Sequence, residues 1–420
     1  MFMLRLSLML VVFVDVMGQG LILPIISTLL IDPESAFLAK DTSHGTRNLM
    51  YGVLLSTFYI FWFFGAAYIS KLSDYIGRKN GIVICLVGAL AGYVLTVVAV
   101  ESSNYALLLL GRAISGFTAG NQPIAQAALV DISRNDDERT RNMGRVVAAA
   151  ALGLVAGPLI AGLLSDSRVL GSYATLQLPF MVAAGLIAIT LFLILVFFHD
   201  ARTERRKIDF GVSEVFVNLW RVRSRPVVLK LGLVFFFFEL GLNSFFIYLN
   251  DYALQHFGFD TLQNSILMVI FGLTMALASS TLVGPLGQRY RKIPVVTGAT
   301  VVMMLSLIIF TLNPVGSLSY LLVIPIVIGF AVGYPTILAL FSASAGEEEQ
   351  GWVMGITIAL FTLGSGLVSL AGGVLIGVNV HLPFAVGILC CGIALALIAT
   401  LWRGSDVQAI DTRQMQEPSS

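Results

Sequence analysis

Three side chains that can carry charge stand where charge is expensive. Asp15 lies in "MLVVFVDVMGQGLILP", Arg112 in "LLLLGRAISGFTAG" and Glu239 in "VFFFFELGLNSFF". Each interrupts a run otherwise suited to hydrocarbon. An ionised side chain at the centre of a bilayer costs several kcal/mol to insert, so such residues face a cavity or a partner. Low-dielectric surroundings disfavour the charged form of a carboxyl. A carboxyl so placed can load and release a proton, or exchange it for a cationic solute. That is the coupling chemistry of an antiporter. A guanidinium would tie proton release to its own approach. On a helix, Gly18 and Gln19 share the face of Asp15. Asn243 stands four residues beyond Glu239 and extends its polar face, and Gln122 and Gln126 add amides from the fourth span. Tyr59, Trp62, Phe245 and Tyr248 would suit a planar or amphipathic ligand. The blander alternatives stay open: a hydrogen-bonded structural carboxyl at Asp15 or Glu239, and aromatic runs that are core or lipid-facing.

The elements that must position these groups follow from composition. The chain has 420 residues, 57% hydrophobic and 12% charged. Soluble domains carry about 25% charged residues. With a mean hydropathy of +0.90, the class is polytopic membrane protein. A net charge of +1 gives no footprint for nucleic acid. Cys85, Cys390 and Cys391 fall in apolar runs and read as small buried side chains. His44, His199, His256 and His381 have no metal-ligand spacing, and no phosphate-binding glycine loop appears. An enzyme, a bound cofactor and ATP drive are therefore not expected; the intramembrane carboxylates make a proton gradient the expected energy source. The partners expected are a small-molecule substrate, protons and the bilayer, with the chain a monomer.

A spanning helix needs about 20 mostly apolar residues. Twelve such stretches occur, near 6–30, 50–70, 81–100, 105–128, 144–165, 177–198, 227–250, 261–286, 294–313, 318–343, 352–376 and 381–402. The N-terminal run continues past any signal-peptide cleavage distance and reads as the first span. The expected organisation is a six-helix bundle over 1–198, a cytosolic loop over 199–226, a second bundle over 227–402 and a disordered polar tail over 403–420. Of the 25 Lys and Arg residues, Lys40, Arg47 and Arg168 fall on one side and Arg112 within a span. The rest fall on the other side, so both termini are expected in the cytosol. The halves repeat: "MGRVVAAAALGLVAGPLIAGLL" from Met143 aligns with "MGITIALFTLGSGLVSLAGGVL" from Met354, and "GFTAG" from Gly116 with "GFAVG" from Gly329. Repeated halves place a transporter's substrate site at their interface near mid-membrane.

Three further motifs stand out. "LSDYIGRKNG" puts Asp74, Gly77, Arg78 and Lys79 in a tight turn between spans two and three. On the fourth span, Arg112, Gly116 and Gly120 recur every fourth residue and would share a face. On the fifth, Gly153, Gly157 and Ala161 form a small-residue stripe that lets backbones approach, with Pro158 and Gly162 beside it. The loop before span eleven, "AGEEEQG", carries three acids at a helix N-terminus, where negative charge is favoured.

These motifs resemble those of the major facilitator superfamily, and within it the twelve-helix drug:proton antiporters that include the tetracycline exporters. The resemblance covers nearly the whole chain. Asp74 to Lys79 matches the family's loop 2–3 signature, with Ser70 where it usually opens on glycine and Tyr75 where a basic residue is usual. Arg112 to Gly120 matches its fourth-helix signature, and Gly153 to Gly162 the fifth-helix signature that marks exporters. "DVMGQGLILP" from Asp15 resembles the first helix of tetracycline-type members. The resemblance implies an all-α fold of two pseudo-symmetric six-helix bundles, with Asp15 and Glu239 beside one central cavity. It implies a cytosolic gate in which Asp74 accepts from amides at the start of span eleven and Arg78 reaches Asp131. Glu347, Glu348 and Glu349 could then latch onto Arg78 or Lys79. The function implied is proton-coupled efflux of small amphipathic molecules across the bacterial inner membrane. The alternatives are a proton-coupled importer of an amino acid, sugar or siderophore, and, in another class, a transporter-like sensor or lipid-handling protein.

Overall fold

The computed structural model describes residues 2–133, 135–199, 220–346 and 349–416. All regular structure among them is helical. The first half of the chain forms α1 (Phe2–Ile31), α2 (His44–Ile76), α3 (Arg78–Glu101), α4 (Tyr105–Phe117), α5 (Asn121–Asp131), α6 (Asp136–Ser165) and α7 (Leu178–Phe197). The second forms α8 (Pro226–Phe257), α9 (Thr261–Thr281), α10 (Lys292–Thr311), α11 (Gly316–Ala343), α12 (Gln350–Val378), α13 (Leu382–Leu401) and α14 (Ser405–Gln416). Among the described residues, 11 helices are long and apolar enough to cross a membrane.

The remaining expected span, 105–128, is not one helix. It breaks between Phe117 and Asn121 into α4 and α5. Pro123 explains the break. Proline lacks the N–H that would donate to the carbonyl of Ala119, and its ring would press on that carbonyl. It is tolerated in the first turn of α5, where the N–H needs no intrahelical partner. Gly120 is therefore not on a helical face with Arg112 and Gly116. It is the N-cap of α5 and has no side chain with which to cap it.

Between α2 and α3 the chain reverses at Gly77, whose φ of 96° lies in the region that favours glycine. The stripe on α6 does what its residue sizes predict. A Cβ on Gly153 would stand 2.5 Å from the carbonyl oxygen of Phe13, and one on Gly157 2.2 Å from that of Met17. Backbone thus meets backbone along α1 and α6. Pro158 packs against Gly20 in the same seam.

Two compact units emerge, one of Met1–Phe210 with Ala253–Val269, the other of Gly211–Tyr252 with Ile270–Ser420. The division differs from the expected one, because the end of α8 and the start of α9 count with the first half. Their bonds show why. Gln255 Nε2 donates to Asn48 Oδ1 at 2.8 Å, and the hydroxyls of Thr28 and Thr261 lie 2.8 Å apart. Arg168 reaches Asp260 at 2.7 Å, and a Cβ on Gly162 would meet that of Ser265 at 2.6 Å.

The tail corrects the sequence reading outright. Expected to be disordered, it forms α14, with Val407 fully buried. Lys230 Nζ donates to Asp406 at 2.7 Å, and Asp411 Oδ1 accepts the Lys292 backbone N–H at 2.7 Å, capping α10. Trp402 Nε1 donates to the carbonyl of Lys230. The tail is polar in sum, but Val407 anchors it.

Candidate functional site

The first unit holds a small cavity walled by α1, α2, α3, α4 and the start of α5. Its polar lining is Asp15, Gln19, Tyr93, Arg112, Ser115 and Asn121, and Phe58, Leu86 and Ile187 close it with apolar surface. Asp15 is therefore turned inward. The Asn121 side chain and the Gln122 backbone N–H stand close enough to act on its carboxyl. These groups belong to the first turn of α5, which Gly120 leaves uncapped. Asp15 of α1 thus faces the uncapped start of α5. A helix N-terminus carries partial positive charge and favours an anion.

Arg112 lines the same cavity and is only 6% exposed. Its guanidinium lies over the Phe58 ring, 4.1 Å from the centroid. Its Nε has no acceptor, and among the described residues no ion pair joins it to Asp15. Gly116 brings α4 against α2, since a Cβ there would stand 2.3 Å from the Phe58 carbonyl oxygen. Gly18 makes room for Tyr93, whose hydroxyl would be 2.3 Å from a Cβ at that position. Gln19 joins the lining as expected. Gln122 contributes its backbone, while Gln126 is half-buried along α5. Tyr59 stacks on Trp62, centroids 6.2 Å apart, beside Phe58 and within electrostatic range of Arg112.

Glu239 lies in the other unit, 1% exposed. Asn243 Nδ2 donates to its Oε2 at 3.2 Å, as the spacing predicts, and Oε1 has no partner. Its surroundings are aromatic: Tyr334 stands within its field, stacked on Phe330, which stacks on Phe238. Two aromatic expectations are corrected. Phe245 is fully buried edge-on against Phe310, centroids 4.9 Å apart. Tyr248 is fully buried too, donating to the Ser369 carbonyl, with Gly372 making way for its ring. Both are core rather than cavity.

In the α2–α3 turn, Arg78 pairs with Asp74 at 2.7 Å and lies 3.7 Å from Asp131, the contact the resemblance implied. Its Nη1 also donates to Ser73 Oγ, and Lys79 donates to the Leu195 carbonyl. The expected acidic latch is otherwise. Glu347 and Glu348 lie outside the described residues, and Glu349 pairs with Arg221 and Arg225. Those arginines precede α8 in the same unit and are simply nearer. At another edge Asp166 pairs with Arg168, which also holds Asp260. The adjacent guanidinium holds the Asp166 carboxyl below the usual range.

Sequence reasoning missed Tyr93, Phe58, Ser115 and Asn121. One signal was available: "GNQP" pairs a glycine with a proline three residues on, which reads as a helix restart. Asp251 was also missed. It is fully buried in α8, one residue beyond the predicted seventh span.

Comparison with known proteins agrees with this architecture. The model of the Major Facilitator Superfamily matches residues 8–333 and 256–417. The class C tetracycline resistance protein of Escherichia coli is 26% identical over 358 residues, covering 84% of this chain and 85% of its own. The quinolone resistance protein NorA of Staphylococcus aureus (strain MSSA476) is 24% identical over 397 residues, covering 92% and 94%. Among solved structures, the human organic anion transporter MFSD10 superposes with a TM-score of 0.70 at 20% identity, over 95% of this chain and 99% of that one. A D-xylose–proton symporter gives 0.75 at 15% identity, over 96% and 97%. These last two share the fold alone. The protein is a transporter and not an enzyme, a multi-pass protein of the bacterial inner membrane, and the chain belongs to the major facilitator superfamily.

Proposed function

We propose that this protein is a proton-coupled exporter of small amphipathic molecules, of the kind that confers drug resistance, working by alternating access. The observation that carries the reading is the Asp15 carboxylate, set in a polar cavity against the first turn of a broken helix. Protonation removes the charge that this half-helix favours. The α1–α5 contact then loosens, which links a proton to a movement. Glu239, with one oxygen that no group among the described residues bonds, serves as a second carrier in the other half. Asp74, Arg78 and Asp131 form one cytosolic gate cluster, with both termini in the cytosol as the Lys/Arg bias indicates. The tight α1–α6 seam at Gly153 and Gly157 keeps α1 in register during the motion. The resistance proteins named above support export as the direction.

Inverted membrane vesicles loaded with a panel of fluorescent amphiphiles test this. An imposed proton gradient, acidic inside, should drive dye inward against its own gradient. Asp15→Asn and Glu239→Gln should abolish the accumulation while the protein still folds. Dye movement with the proton flow would assign a symporter and overturn the reading.

A further inference from the structure

The geometry points to an anion subsite in this cavity: Arg112 receives a carboxylate borne on an apolar body. The inference rests on the cavity being the solute site. A guanidinium taken out of water loses several kcal/mol of hydration unless it is paired. Arg112 is only 6% exposed, yet among the described residues no carboxylate pairs with it. Its guanidinium rests on the face of Phe58. A cation–π contact offsets about 0.5–2 kcal/mol, which covers part of that loss.

Asp15 shares the lining, but among the described residues no ion pair joins it to Arg112, and its carboxyl faces the first turn of α5. The arrangement therefore keeps an acid and a base in one cavity without letting them neutralise each other. What remains is a planar donor fork with its Nε unsatisfied, aimed into a cavity. That fork matches a carboxylate in bidentate geometry. The Tyr93 and Ser115 hydroxyls stand in the same lining as further donors, and Leu86, Ala89 and Ile187 offer apolar wall. A compact acid on a hydrophobic frame matches the chemistry of all three features, and the cavity, about 40 Å³ in this state, widens to admit it during the transport cycle. An ester of the same frame fits only the walls.

The test uses purified full-length protein in detergent and three probes: 1-naphthoate, its methyl ester and 1-naphthylmethylammonium. Binding is read by fluorescence. Naphthoate should bind about tenfold or more tighter than the ester, as a charge-assisted bidentate contact implies. Arg112→Met should erase that preference while ester binding stays within twofold, which also reports an intact cavity. Arg112→Lys keeps the charge but loses the fork and should fall between. Equal binding of acid and ester by the unaltered protein overturns the proposal without recourse to any variant. So does a preference that survives in Arg112→Met, or tighter binding of the ammonium. Chloride that displaces naphthoate at equal concentration assigns the guanidinium to small inorganic ions and also overturns it. Asp15→Asn should retain the acid–ester preference. Its effect on gradient-driven transport is read separately, so the two readings can fail independently.

Discussion

Replacing Gly157 by alanine should be costly out of proportion to one methyl group. The added Cβ would lie 2.2 Å from the Met17 carbonyl oxygen and 2.8 Å from the Leu21 nitrogen. Both are backbone atoms of α1, so no side chain can turn aside. Reaching ordinary contact requires a separation of the helices by about 1 Å. Overpacking of this kind costs about 1–3 kcal/mol. Helix propensity works the other way, favouring alanine over glycine by about 1 kcal/mol. Gly144 supplies the control on the same helix, since nothing lies within 4 Å of a Cβ there. Thermal unfolding in detergent, followed by fluorescence-detected size exclusion, separates the terms. Gly157→Ala should melt below the unaltered protein and Gly144→Ala at or above it. Equal melting of the two variants would refute the backbone-contact account of this seam.

Three further outcomes follow from local chemistry. The Asp166 carboxyl lies below its ordinary value because of Arg168. It thus stabilises the fold above the unfolded value of about 4 and ceases to do so as pH falls through its folded one. The melting gap between the protein and Asp166→Asn should be open at neutral pH and close in strong acid. Asp406→Ala removes the partner of Lys230 and should raise hydrogen exchange across 405–416 with little change in global melting, as expected of a half-exposed ion pair. Gly77→Ala forces a side chain into a φ of 96° and ψ of 153°, a region almost confined to glycine, and should cost about 1–3 kcal/mol, read by the same melting assay.

The spans were legible because hydrocarbon imposes a length and composition on each one separately. The glycine stripe of α6 was legible because close approach needs small residues whatever the partner. The partners themselves were not. Asp15 could be singled out as an acid in oil, but that it faces the start of α5 depends on where α4 breaks. Tyr93 looked like any aromatic in a span until Gly18 was found to yield to its hydroxyl. Tyr248 and Phe245 show the converse. Helical position placed them on a plausible face, yet tertiary packing put them in the core. Glu349 chose Arg221 and Arg225, a pairing set by chain proximity in three dimensions. The tail helix α14 escaped notice because its partners Lys230 and Lys292 are far from it in sequence.

The central claim is that Asp15 carries the coupled proton rather than merely capping a helix. Asparagine at 15 separates the two roles, because its amide oxygen can still accept the Gln122 N–H but cannot titrate. Proteoliposomes holding a pH-sensitive dye, given amphipathic substrate on one side, measure the exchange directly. Substrate-evoked proton flux should vanish in Asp15→Asn while its melting temperature is preserved. Undiminished flux in a stably folded Asp15→Asn protein would contradict the account and leave the carboxylate a structural cap.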